Sequence, residues 1–164
     1  MKSLAEQMSF YQRYHRSSKN KATHFVGVPA IVLAVMLAFS WLRLGNSGLS
    51  AAEVLSVSLL SYYFRLDVPL ALASTGIFAV LLVLAHVLDN RLTPGGAHVA
   101  FAVLFVGGWI LQLIGHYFEG RKPALADNLF QLLIAPIFLV AEVFFHFGYK
   151  SGLRHQVEAR AAST

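Results

Sequence analysis

One stretch in the last third of the chain gathers groups that can coordinate or ionise. It reads Gln112-Leu113-Ile114-Gly115-His116-Tyr117-Phe118-Glu119-Gly120-Arg121-Lys122 and stands at the end of a strongly apolar run. His116 and Glu119 are three residues apart and so share a face of a helix. Imidazole nitrogen with carboxylate oxygen is a donor mixture suited to iron, zinc or manganese. A second polar cluster, Tyr14-His15-Arg16 through Asn20 to His24, precedes the first apolar run. His15 and His24, nine apart, would fall on opposite faces of one continuous helix. Ser17-Ser18-Lys19-Asn20 between them reads as a break or turn that lets both rings converge. Polar groups of this kind are expensive in hydrocarbon and are kept there for a partner or a function, so the two clusters point to a metal site. The bland alternative is a helix-end histidine, a Glu119 paired with Arg121 or Lys122, and a pair of interfacial histidines beside a basic segment.

The elements that would hold these groups are membrane helices. The chain has 164 residues, 57% hydrophobic and 13% charged, about half the charge of an average soluble domain. This predicts a single membrane-embedded domain over 1–164: a polar basic segment (1–24), a helix bundle (25–149) and a polar tail (150–164). A span takes about 20 apolar residues. Phe25–Leu44, Val68–Leu88 and Ala97–Phe118 qualify, Leu49–Phe64 is a shorter span or an interfacial helix, and Leu129–Tyr149 carries Pro136 and Glu142. Proline removes a backbone donor and crowds the preceding turn, so the last segment is expected to break or kink at Pro136. The fold class is thus an all-α polytopic bundle of four to five segments.

Lys2, Arg13, Arg16, Lys19 and Lys21 against Glu6 put the N-terminus on the cytoplasmic side. Arg121-Lys122 and the basic tail argue the same for their segments. Four spans with a returning hairpin at the end satisfy all three and bring His15, His24 and His116 to one face; the alternative is a fifth true span with the basic tail outside. The basic residues flank apolar runs, so the partners are membrane lipids and not nucleic acid. With no cysteine, there is neither a disulfide frame nor a thiolate site. No nucleophile elbow, phosphate loop, H-E-x-x-H or dinucleotide fingerprint occurs.

Glu142, inside an apolar run, must snorkel or meet a cation or a histidine. Histidine ligands commonly hand their second N–H to such a carboxylate, and His146 lies four residues on. Asp127, Asn128 and Gln131 supply polar contacts or a cap for the last segment. His86 reads as an interfacial or hydrogen-bonded residue, His98 as a helix-start residue near water, and His155 as part of the tail.

Tyr11-x-x-Tyr14-His15, Lys19-Asn20, His24 and Val28-Pro29 form a first motif. Gln112 to Glu119, Lys122-Pro123-Ala124-Leu125, Asp127-Asn128-Leu129, Ala135-Pro136 and Glu142 form a second. Together they resemble the 2-hydroxy fatty acid dioxygenase family from about Tyr11 to about Tyr149. The resemblance implies an iron(II)-dependent membrane enzyme that uses dioxygen to shorten a 2-hydroxy fatty acid by one carbon. Its metal histidines match His15, His24 and His116, and its carboxylates match Glu119 and Glu142. A 2-hydroxy acid can chelate a metal through hydroxyl and carboxylate, and Arg121 or Lys122 could meet that carboxylate, Arg with a bidentate grip. The implied location is a multi-pass membrane, the bacterial inner membrane or, in a eukaryote, the endoplasmic reticulum. The competing classes are a metal-dependent lipid hydrolase with the same histidines and a non-catalytic membrane protein. A small transporter would show matching interrupted helices in two halves, and only the last segment looks interrupted.

Overall fold

The computed structural model describes residues 3–120 and 130–162. Seven helices account for nearly all of them: α1 (Leu4–Gln12), α2 (Ser18–Ser40), α3 (Ala51–Leu66), α4 (Val68–Arg91), α5 (Pro94–Glu119), α6 (Gln131–His146) and α7 (Ser151–Ala162). Arg121, Lys122, Asp127 and Asn128 lie outside the described residues. The starts of the helices follow local chemistry. Ser3 with Glu6 and Ser50 with Glu53 form capping boxes at α1 and α3, each satisfying two otherwise orphaned amides. Asp67 closes α3 and caps α4 in one residue, accepting from the Leu70 amide. Thr93 caps α5, and Pro94 and Pro69 occupy first-turn positions, where a missing N–H costs nothing.

α2, α4 and α5 are long and apolar enough to cross a membrane, and the bent α6–α7 pair passes the same test if counted as one span. α3, at 16 residues, covers roughly 24 Å. The chain runs up α2, down α3, up α4 and down α5. One end of the bundle holds the α2 start, the α5 end, α1 and α7. Lys150 pairs with Asp67 at 2.7 Å there, and the Tyr63 hydroxyl donates to the Leu133 carbonyl at 2.5 Å. The other end holds the Arg43–Asp89 and His86–Glu53 pairs and the Trp41–His98 ring contact.

The element boundaries differ from the sequence reading in two instructive ways. α2 begins at Ser18, seven residues before the apolar run, and the break that frees His15 falls at residues 13–17, so Ser18, Lys19 and Asn20 are already helical. Pro136 lies inside α6, which runs on to His146. The turn of 118° between α6 and α7 comes where Gly148 (φ 78°) and Lys150 (φ 58°) take left-handed conformations, which end a helix more cheaply at glycine than at other residues. The polar ends are part of the packed body: Leu4, Ala5, Met8 and Tyr11 from α1 and Val157 from α7 join a core with Ile134, Ile137 and Phe138.

α2 and α5 approach closely because glycines line their contact. A Cβ on Gly27 would meet the Gly108 carbonyl at 3.0 Å, and one on Gly108 would meet Ile31 Cγ1 at 2.6 Å. Small residues let backbones pack closely where lipid supplies no hydrophobic drive between helices.

With no native cysteine, single cysteines report topology directly. Ser18→Cys and Gln156→Cys are expected to be protected from an impermeant thiol reagent in intact cells, and Ser47→Cys to be labelled. Labelling of Gln156→Cys with protection of Ser18→Cys would mean that the α6–α7 pair crosses the membrane.

Candidate metal centre

Each site histidine is set by a different element. His15 stands in the connection between α1 and α2, His24 on the second turn of α2, and His116 on the last turn of α5. All three are buried. One ring nitrogen from each lies within 4.8 Å of the others, and the rings meet edge to face with centroids 4.5–5.1 Å apart.

Two backbone carbonyls orient the first pair. His15 Nδ1 donates to the Tyr11 carbonyl at 2.7 Å, and His24 Nδ1 donates to the Asn20 carbonyl at 2.9 Å. A carbonyl can only accept, so each Nδ1 carries its hydrogen and each Nε2 presents a lone pair in the neutral ring. Those two Nε2 atoms face each other at 3.0 Å. Burial, reinforced by the neighbouring His24 ring, holds the His15 imidazole far below its usual pKa, because a protonated ring is disfavoured in an apolar site. Two buried lone pairs directed at one point, with a third histidine beside them, suit a cation. Carbonyl partners on the far nitrogen are the usual outer support of histidine ligands. His116 Nδ1 is buried without a hydrogen-bond partner. The Tyr11 ring lies flat on His15, with centroids 3.8 Å apart and planes 3° from parallel.

Glu119 is the latch of this arrangement. Its carboxylate accepts from the Arg16 amide at 2.9 Å, the Ser17 amide at 2.8 Å and Asn20 Nδ2 at 3.0 Å. Ser17, the residue at the cap position of α2, makes no side-chain cap bond of its own. An acidic group from α5 therefore caps α2 across the bundle, where the helix dipole favours negative charge. Asn20, fully buried, also donates to the Tyr14 carbonyl at 2.9 Å, pinning the loop that carries His15. Gly115, next to His116, leaves room for this network: a Cβ there would clash with Thr23 Oγ1 and stand 2.5 Å from Asn20 Oδ1.

Glu142 is paired elsewhere. Both its oxygens accept from Lys21 Nζ, at 2.9 and 2.8 Å, so the expected carboxylate support of a ligand histidine is supplied by backbone carbonyls instead. His146 lies with Glu142 and Lys21 along a small polar cavity. His86 Nε2 donates to the Glu53 carboxylate at 2.5 Å, and His98 Nδ1 donates to the Pro94 carbonyl at the far end of the bundle. His155 is exposed. The sequence reading gave no role at the metal centre itself to Tyr11, Asn20, Gly115 or Lys21. The first three stand in the quoted motifs, which was their signal. Lys21 was visible only as positive charge.

A cavity of about 460 Å³ starts at His15, His24 and His116 and runs on between α2, α3 and α5, walled almost wholly by apolar side chains. Leu55, Leu132 and Leu133 line it and are also exposed on the flank of the bundle. Gln112 and Gln131 line it near the histidines, each with one buried amide atom lacking a partner.

Residues 1–147 match the family described as 2-hydroxy-palmitic acid dioxygenase Mpo1-like. A Saccharomyces cerevisiae protein, 2-hydroxy-palmitic acid dioxygenase MPO1, is 36% identical over 166 residues, covering 96% of this chain and 91% of the yeast protein. No solved structure matches the chain.

The carboxylates can be separated by experiment. Glu119→Ala strips the α2 cap and is expected to cost about 1–2 kcal/mol of stability and to weaken metal binding about 10–100-fold. Thermal unfolding in detergent and metal titration read the two effects. Glu142→Ala leaves Lys21 unpaired and is expected to cost about 2 kcal/mol, most of it recovered in the Lys21→Met/Glu142→Leu double variant. Normal metal content in that double variant is the expected result. Metal loss despite restored stability would give Glu142 a role at the centre itself.

Proposed function

The chain belongs to the Mpo1-like family, and on that premise we propose that it is an iron(II)-dependent dioxygenase that shortens a 2-hydroxy fatty acid by one carbon. The observation that carries the proposal is the pair of Nε2 lone pairs 3.0 Å apart, joined by His116 and opening on an apolar cavity. Three neutral imidazoles fit a borderline divalent transition metal and leave coordination positions for substrate and gas. His15, His24 and His116 would hold the ion. When bound, iron(II) supplies the one-electron chemistry that dioxygen requires and a Lewis-acidic docking point for the hydroxyl and carboxylate of the substrate.

The protein's own groups do the rest. The Tyr11 and Asn20 carbonyls keep the hydrogens on Nδ1, so both Nε2 atoms present lone pairs that a metal ion would accept. Tyr11 stacking fixes the His15 ring plane. Glu119 acts through backbone, holding the loop that positions His15. The apolar walls take the acyl tail and exclude water from the reacting end, which strengthens every polar interaction there. Arg121 and Lys122, just past the α5 terminus in sequence, are the proposed partners of the substrate carboxylate. The setting is a multi-pass membrane protein with the histidines at the cytoplasmic face, its substrate drawn from the surrounding lipid.

Purified protein is expected to hold about one iron per chain and to convert 2-hydroxy fatty acids with dioxygen uptake. His15→Ala, His24→Ala and His116→Ala should each lose activity and iron together, since truncating a ligand removes a metal bond. His98→Ala and His155→Ala should stay within about twofold of wild type, because neither ring touches the cluster. Monodispersity in detergent, measured alongside, separates ligand loss from misfolding. Full activity with normal iron in His116→Ala would contradict the proposal.

A further inference from the structure

One face of α2 lines the cavity from end to end: His24, Val28, Ile31, Val35 and Phe39 recur at helical spacing. The cavity therefore has a direction. Its polar end is the histidine cluster. Its other end is lined by Phe39, Met36, Ala52 and Phe78, which pack in one apolar cluster. Along α2, the step from His24 to Phe39 spans roughly 22 Å at about 1.5 Å per residue. An extended saturated chain advances about 1.3 Å per carbon, given single bonds of about 1.5 Å at tetrahedral angles. The distance from cluster to floor thus accommodates roughly 17 carbons.

We propose that this floor is an acyl-length gauge, with Ala52 setting where the chain must stop and Phe78 forming the wall behind it. The inference rests on the fatty acid reading above and adds to it a length limit and the residues that impose it. Ala52 contributes a single methyl group to a buried wall. Any larger side chain there takes space from the terminal carbons of the substrate, because a close-packed cluster on the other side cannot yield it. Truncating Phe78 opens the same end instead. Ser56, one turn along α3, is also buried on this wall, but its hydroxyl is satisfied by the Ala52 carbonyl, so it presents no free polar group to a hydrocarbon end.

Trp109 lines the cavity between the two ends, which gives a readout independent of turnover. In a Trp41→Phe background, quenching of Trp109 by saturated fatty acids brominated at mid-chain reports acyl binding across a length series. Conversion of 2-hydroxy acids over the same series reports kcat/KM. Ala52→Phe is expected to move both optima shorter by about three carbons, since a phenyl ring reaches about 4 Å beyond Cβ. Each carbon beyond the new limit should cost about tenfold or more. Ala52→Leu should give a smaller shift of the same sign, and Phe78→Ala a shift toward longer chains. Val57→Phe, on the exposed side of α3, should leave the profile unchanged. Because Ala52→Leu and Phe78→Ala perturb packing in opposite senses, a folding failure in Ala52→Phe leaves the test intact. Quenching of Trp109 with an unchanged length profile in these variants overturns the gauge. A shifted quenching profile with no turnover of any 2-hydroxy acid upholds the gauge and overturns the dioxygenase reading.

Discussion

Everything at the histidine end depends on the close packing of α2 against α5. Gly27, Gly108 and Gly115 remove the side chains that would separate the two helices. Only at that separation do His24 and His116 face each other, and only then does the Glu119 carboxylate reach the amides of Arg16 and Ser17. The consequence passes along the chain. A capped α2 fixes the loop at residues 13–17, the loop fixes His15, and Tyr11 on α1 stacks on that ring. Helix contact, cap, loop and ring form one dependent series. A methyl group on Gly115 would disturb all of it without touching a histidine.

The energetics of the setting explain why the polar groups are so completely internal. A buried polar group without a partner costs about 1–3 kcal/mol. Around the cluster, backbone carbonyls absorb both Nδ1 hydrogens, Asn20 spends its amide on Tyr14 and Glu119, and Lys21 neutralises Glu142. Glu53 does the same at the opposite end, accepting from the Ser50 amide and hydroxyl and facing His86. Among the described residues, buried side-chain atoms without a partner stand at the cavity, as His116 Nδ1 and the amide atoms of Gln112 and Gln131, and also outside its lining, as Gln12 Oε1 and Asn20 Oδ1, while the paired Nε2 atoms meet each other. Buried polar groups normally find partners, and those at the cavity are the ones that the proposed metal and substrate would meet.

Much of this was legible in the sequence, and the limits were physical. The apolar runs announced the helices long and apolar enough to cross a membrane, because a bilayer demands length and composition together. The three histidines were legible as a set through the two motifs, and their convergence needed only a break between residues 15 and 24. The position of that break was not legible, because α2 is capped by Glu119, about a hundred residues downstream, and no local signal predicts a cap supplied in this way. For Glu142 the sequence leaves snorkelling, a cation or a histidine open, and Lys21 and His146 are equally available to it; the structure pairs it with Lys21. The turn between α6 and α7 falls where Gly148 and Lys150 adopt left-handed conformations, a quieter signal than Pro136. The cavity floor at Ala52 is a tertiary feature: a lone alanine on a short helix says nothing until Phe78 and Met36 are seen against it.

The central claim is that His15, His24 and His116 bind one ion through ring nitrogens. X-ray absorption at the iron K edge of the purified, iron-loaded protein tests it most directly. The account predicts about three imidazole nitrogens in the inner shell, with the outer-shell scattering of the rings, and the loss of one imidazole in His24→Ala. An inner shell of oxygen alone, unchanged by His24→Ala, would contradict it.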